Sequence, residues 1–421
     1  MSGLRFGVNY TPSSGWFHSW LDFDADAVRR DLEQVAALGL DHIRIFPLWP
    51  LIQPSRGLIR QRALDDVARV VGAAAEFDLD VNVDALQGHL SSFDFVPSWL
   101  ESWHRRNMFT DPEVVAAEAD YVEALAAAVA DRPNLLGVTL GNELNQFSAP
   151  PHPAPHVVSP DGVDTWLATM VAAARDGLGG PRVDVPTGRA PLVTNAMFDA
   201  AWYDDGQPFR PEHAVRCGDA TVVHSWVFNG AAQTHGALGA GSVRHAEYLC
   251  RLAAAWHPDA SRPIWLQEVG APTNVVPAAN APDFVESTVR HVAMVPGLLG
   301  ITWWCSHDVS RALPDFSELE YDLGLITNGG RIKPTGERFA ALVRELRDAA
   351  PAQQSADALV LDDTGDYRAA CAPTGVFYRR WLHLAERTGY GPQIIPRSLS
   401  ADAQVIAARG IRTLHEAGRA V

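Results

Sequence analysis

Eight short apolar runs, most of them followed by a longer stretch with helical spacing of its apolar residues, occupy roughly the first 345 residues of this 421-residue chain. The runs are "RFGVNY" (5–10), "HIRIFPLW" (42–49), "LDVNVDAL" (79–86), "LLGVTLGNE" (135–143), "PLVTNAMFD" (191–199), "ATVVHSWVF" (220–228), "PIWLQEVGAP" (263–272) and "LLGITWWCSHD" (298–308). Among the intervening helical patterns are residues 24–39, 62–77, an Ala-rich stretch from about Asp111 to Ala130, 165–178, 244–256 and 283–295. Near-continuous apolar runs are what strands covered on both faces look like. Alternating β and α units imply a parallel sheet, and eight of them fit a closed ring, a (β/α)8 TIM barrel. An open doubly wound sheet is the competitor, but no GxGxxG follows the first run. The fold class read here is α/β, with a barrel over residues 1–350.

Beyond Pro351 the pattern changes. "ALVLDD" reads as a strand, 376–389 as a helix, "PQIIP" as a short strand and 401–418 as a terminal helix. This small C-terminal α/β appendage, residues 351–421, is near the lower size limit for an independent core, so it is expected to dock on the barrel. It covers the barrel, builds a contact between copies of the chain or shapes the pocket; these alternatives stay open.

Charge and cysteine usage narrow the function classes. The formal net charge is −16, without a basic run, which disfavours nucleic acid and anionic membranes as partners. The four cysteines, Cys217, Cys250, Cys305 and Cys371, form no CxxC pair and suggest neither a zinc site nor a disulfide framework. No His-x-His occurs, so a metal-dependent barrel hydrolase has little support, and no cofactor is expected. The opening "MSGLRFGVNY" lacks the basic and apolar regions of a secretory signal, and no run reaches the length of a membrane span. Cytoplasmic residence is the expectation.

In a barrel, residues at the carboxyl ends of all eight strands converge on one mouth. Here they include Arg44, Asp84, Asn142, Glu143, Asn195, Asp199, His224, Trp226, Glu268, Trp303, Trp304, His307 and Asp308. Two carboxyls facing each other across a cleft suit glycosidic bond cleavage, where one protonates the leaving oxygen and the other attacks or stabilises the anomeric centre. Mutual repulsion helps to hold their pKa values apart. Glu143 alone could be an ion-paired strand end, His224 a satisfied core histidine, and Trp303 or Trp304 plain core; the pairing of Glu143 with Glu268 and Asn142 favours chemistry.

These residues carry a resemblance. "GNE" after the fourth strand, the Glu ending "WLQE" on the seventh, "WW" on the eighth, Arg44 in "IRIF" and His224 in "HSW" are similar to glycoside hydrolase family 5 of clan A, over about residues 5–345. The resemblance implies that Glu143 is the acid/base and Glu268 the nucleophile. It implies that Asn142 holds the sugar 2-hydroxyl, that Arg44 bonds Glu268 and keeps it ionised, that His224 lies on the acid/base side, and that Trp303 floors the sugar. Asp84 and Asp199 are further candidate substrate contacts. One departure stands out: the position two after His224 is usually Tyr in the family and is Trp226 here, so the hydroxyl partner for the nucleophile is missing or comes from elsewhere.

The opening "FGVNYTPS" and the short tail are similar to intracellular exo-acting β-mannosidases of that family, which act on β-1,4-mannosides such as the mannosyl-N-acetylglucosamine core of N-glycans. A retaining exo-β-mannosidase acting on an oligosaccharide is therefore expected. A β-glucosidase, an endo-β-mannanase or cellulase-like hydrolase, a transglycosylase and a catalytically silent saccharide-binding barrel remain alternatives. Aromatic residues at 16, 17, 20, 23, 93, 95, 99 and 103, and bulky loops at 11–23, 87–110, 144–163 and 305–322, are expected to narrow the mouth into a pocket.

Overall fold

The computed structural model describes residues 3–180, 190–257, 259–350 and 352–417. Eight parallel strands form one sheet: β1 Arg5–Asn9, β2 His42–Ile45, β3 Asp80–Leu86, β4 Leu135–Gly141, β5 Leu192–Thr194, β6 Thr221–Ser225, β7 Ile264–Val269 and β8 Leu298–Trp303. Their order is β5-β4-β3-β2-β1-β8-β7-β6, so each strand pairs with its neighbours in sequence and β8 returns to β1. The remaining gap, between β5 and β6, is bridged by Asp219. Its backbone N–H donates to Val193 O at 2.8 Å, and its carboxylate accepts from Val193 N at 2.8 Å. The chain is a (β/α)8 barrel.

Helices on the outside start where the sequence supplies caps. Asp24 accepts from Asp26 N and Ala27 N ahead of α1 (Ala25–Ala36), and Asp111 precedes Pro112 at the head of α3 (Pro112–Val129), which follows α2 (Gln61–Ala75). Ser159 and Pro160 start α4 (Pro160–Gly177) five residues ahead of the apolar pattern. Later come α5 (His245–Ala255), α6 (Ala281–Val292) and α7 (Pro334–Leu346). Their apolar faces and the outward side chains of the strands make one continuous core. Inside the ring, polar side chains satisfy one another in layers. His42 Nε2 lies 2.8 Å from Thr302 Oγ1, Trp265 Nε1 donates to the same hydroxyl, and Asn82 and Gln267 both donate to Thr139 Oγ1.

The tail contains a helix, α8 (Val376–Thr388), and a second parallel sheet, in which β9 (Asp357–Leu361) runs between β10 (Gln393–Pro396) and β11 (Thr413–Glu416). One expectation fails here. The terminal helix over 401–418 is instead a short helix, α9 (Ala403–Ala408), followed by β11. Gly410, at φ 65°, ends the helical turn, and "TLHE" pairs with β9. Pro351 at the expected boundary, and Gly418, lie outside the described residues. The tail sits on the barrel. Tyr248 donates to Cys371 O at 2.9 Å, Gly391 N donates to Glu247 at 2.9 Å, and Arg368 donates to the carbonyls of Ala201, Asp205, Gln207 and Phe209. All four cysteines are buried free thiols, and no described helix is long and apolar enough to cross a membrane.

Candidate active site

The carboxyl ends of the strands surround a cavity of about 210 Å³, lined among others by Asn142, Glu143, Trp226, Glu268 and Trp304. Glu143 enters it from an unusual backbone conformation, φ 51° and ψ 34°. The left-handed region costs a non-glycine residue about 1–3 kcal/mol and needs support from its surroundings. That support comes from both sides: Glu143 N donates to Ala196 O at 3.2 Å, and Gln146 Nε2 donates to Glu143 Oε2 at 2.7 Å. Glu268, three βα units later, ends β7 from across the mouth. The ligand oxygens of the two glutamates and the His224 nitrogen all lie within 4.8 Å of one another.

Arg44, fully buried on β2, ties this arrangement together. Its Nη1 donates to Glu268 Oε1 at 2.6 Å and to Asn9 Oδ1 at 3.2 Å, and its Nη2 donates to Asn142 Oδ1 at 2.7 Å. Asp84 takes the other edge of the guanidinium in a bidentate pair, 2.8 Å from Nε and 2.6 Å from Nη2. Because Arg44 only donates, the Asn142 amide is oriented with its oxygen toward Arg44. Its nitrogen donates to His89 O at 2.7 Å.

Burial pushes the Glu143 carboxyl up to about 7, against the pull of His89, Gln146 and Arg44. Burial also raises Glu268, with the Glu143 charge adding to the rise and Arg44 opposing it. His224, driven down to about 4 by burial, is neutral near pH 7 and lends no charge. Arg44 is therefore the group that makes Glu268 the easier of the two to ionise. His224 Nδ1 lies 2.7 Å from Glu143 Oε1 and 3.5 Å from Glu268 Oε2.

Trp226, where the family usually has a Tyr, donates its indole N–H to Glu268 Oε2 at 3.3 Å. The nucleophile candidate thus has an N–H partner in place of a hydroxyl. Trp226→Phe is expected to lower kcat about tenfold, the weak end of a hydrogen bond to a charged group; an unchanged kcat would show that this N–H is idle.

Three expectations change. Trp303 is fully buried on the outer side of β8, its ring 5.7 Å from Phe339 of α7, so it floors no cavity. Strand alternation places inward-facing Thr302 and Trp304 on one side and Ile301 and Trp303 on the other, and Trp304 is the residue that lines the cavity. Asp84 holds Arg44 from behind and has no exposure to the cavity. Asp199, raised to about 7 by burial, accepts from Asn229 at 2.8 Å and does not line the cavity either.

Several cavity residues escaped the sequence reading: His89, Gln146, Phe198, Phe228 and Glu320. His89 sits in a two-residue hairpin, 89–90 against 93–94, and its Nδ1 is 3.1 Å from Asp94. The hairpin approaches the "GNE" turn at Gly88, where a Cβ would stand 2.4 Å from Asn142 O; glycine is required at that contact. Glu320, on the loop after β8, has its carboxyl raised to about 7 as it loses water. Trp16, Phe17, Phe46, Phe316 and Tyr321 cluster behind Trp226 and Trp304, so most of these aromatics build the wall of the mouth.

Among the described residues, Glu143, His224 and Glu268 form one group with metal-ligand spacing. The 2.7 Å contact between Glu143 and His224 is already a hydrogen bond, and the Arg44 guanidinium occupies a Glu268 oxygen, a full positive charge where a cation would have to sit. The donor set fits an organic substrate better than a metal ion.

No family model matches the chain, and no curated protein does either. Solved structures do. The chain is 50% identical to a GH5_18 variant from Streptomyces cattleya in complex with Manβ1-4GlcNAc, over 98% of this chain and 99% of that one, with a TM-score of 0.94. It is 42% identical to a GH5_18 variant from Bifidobacterium longum subsp. longum ATCC 55813, also in complex with Manβ1-4GlcNAc, over 99% and 96%, with a TM-score of 0.93. An exo-β-1,4-mannosidase from Opitutaceae bacterium strain TAV5 shares the fold, at 22% identity over 93% of this chain and 69% of that one, with a TM-score of 0.75.

Proposed function

Because the chain belongs to glycoside hydrolase family 5, in the group GH5_18, we propose that it is a retaining exo-β-mannosidase that cleaves Manβ1-4GlcNAc. The observation that carries the mechanism is the approach of the two carboxylates to within 4.8 Å. Retaining enzymes hold their carboxyl groups about 5–5.5 Å apart, whereas inverting enzymes leave room for a water. Glu268 attacks the mannosyl C1, and the bond from C1 to the glycosidic oxygen breaks. Glu143 gives its proton to that oxygen as it leaves. In the second step Glu143 takes a proton from water, the water oxygen attacks C1, and the Glu268 ester is released. Asn142, fixed by Arg44, holds the 2-hydroxyl.

The cavity size supports terminal trimming. About 210 Å³ is the space of about seven waters, enough for one sugar ring. A neighbouring cavity of about 270 Å³ shares His89, Ser92, Gln146 and Phe198 with it and is walled by Pro150, Pro151 and Pro153. We assign this second space to the N-acetylglucosamine. No described residue of the tail lines either cavity, and we read residues 351–421 as an appendage that braces the 1–350 barrel. The free thiols suit a reducing compartment, and we place the enzyme in the cytoplasm.

The test is to follow Manβ1-4GlcNAc hydrolysis by NMR. The first mannose released is expected as the β anomer, before mutarotation. Release of α-mannose first, or brisk cleavage of an aryl β-glucoside beside an untouched aryl β-mannoside, would overturn the reading.

A further inference from the structure

Far from the mouth, where the tail meets the barrel, three arginines converge on one small cavity. Arg251 comes from α5, Arg262 from just before β7, and Arg409 from the end of α9 in the tail. The cavity measures about 30 Å³ and is completed by apolar side chains with His257, Gln354 and Gln393. Among the described residues, no Asp or Glu lines it. Each arginine spends part of its guanidinium on backbone carbonyls. Arg262 donates to Cys217 O, Gly218 O and Thr221 Oγ1, Arg409 Nη2 donates to Ala255 O and His257 O, and Arg251 Nη2 donates to Met294 O.

These bonds leave donors over. Arg251 is 4% exposed, and its Nε is buried without any acceptor. Among the described residues, Nη2 is the one Arg409 nitrogen with acceptors. Arg251 has a long ion pair, 3.9 Å to Glu247, whose carboxylate is engaged at 2.7 Å by Arg244 and at 2.9 Å by Gly391 N. Burial lowers the pKa of all three arginines, against the pull of Glu247 on Arg251 and of Asp219 on Arg262. His257, driven down to about 4 by burial and then by Arg262 and Arg409, adds no charge near pH 7. Buried guanidinium groups without partners are costly, and a ligand that only accepts hydrogen bonds relieves the cost.

We propose that this seam is an anion-binding site, sized for a single chloride ion held by Arg251 and Arg409, which ties the tail to the barrel. A space of about 30 Å³ between guanidinium groups suits a small inorganic anion such as a halide. The competing account is that the arginines serve only as positive ends for the carbonyls they cap.

Two measurements separate these accounts. In thermal unfolding at constant ionic strength, exchanging gluconate for chloride is expected to raise Tm by about 2 °C or more, because a ligand bound only to the folded state stabilises it. Arg409→Gln is expected to abolish that chloride dependence, and Arg251→Gln serves should the first variant fold poorly. In crystals soaked in sodium bromide, an anomalous peak is expected within about 3.5 Å of Arg251 Nε and the Arg409 guanidinium. A Tm indifferent to anion identity, or bromide peaks everywhere but in this cavity, would overturn the proposal.

Discussion

Glu268→Gln is expected to reduce kcat on Manβ1-4GlcNAc by about 10⁴-fold or more, since removing a nucleophile that acts as part of a unit forfeits most of the chemical step. The substitution is nearly isosteric. Arg44 retains its bidentate pair with Asp84 and its bonds to Asn142 and Asn9, so the buried charge stays balanced and the fold is expected to persist. An unchanged Tm beside the lost turnover is the result that assigns the defect to chemistry. A variant that retained a tenth of its activity would remove Glu268 from the reaction. Trapping with a 2-fluoro mannoside offers the complementary check, with a covalent adduct expected on Glu268 in the wild type and none in the variant.

Glu143→Ala is expected to divide along the leaving group. On the disaccharide, whose departing hydroxyl needs a proton, kcat falls by about 10²–10⁴-fold. On an aryl mannoside with an acidic phenol the first step survives, the glycosyl intermediate accumulates, and added azide restores turnover by attacking it without a general base. The pH profile is linked to the same carboxyl. Glu143 works as an acid while protonated, and its pKa lies at about 7, so wild-type activity is expected to fall as the pH rises through about 7. The Ala variant, assayed on the aryl substrate, is expected to lose that alkaline limb. An identical limb in both proteins would assign the ionisation to another group, such as Glu320 at the mouth.

How much of this was legible beforehand follows from which residues a repeating pattern governs. The ring of strands and the positions of Arg44, Asn142, Glu143, His224 and Glu268 could be read because each sits at the end of an apolar run whose direction the βα alternation dictates. Trp303 and Trp304 show the next level of difficulty. Alternation separates their faces, but which face is inward depends on the ring's register. The clue was Thr302, a polar residue in an apolar run, which faces inward to His42 and Trp265 and brings Trp304 with it. His89 and Glu320 had no such clue, since the loops that carry them follow no period and reach the cavity only through tertiary packing. Trp226 was legible as a departure from the family and not as a remedy, because an indole in place of a phenol had to be seen 3.3 Å from Glu268 to count as a donor. In the tail, helical spacing ran across Gly410 on paper, and strand pairing with β9 prevailed.

The single guanidinium at the heart of the barrel has a consequence for how such an enzyme diversifies. Arg44 grips an attacking carboxylate, a substrate-facing amide, a counter-charge and a neighbouring strand end at once. No one of these can drift without unsettling the other three, so selection for a new sugar has little freedom at the strand tips. Novelty is instead left to the side chains of the loops, those of the 89–94 hairpin and of the turn bearing Glu320, where exchanges that keep the backbone alter what is admitted while the reacting groups stay in place.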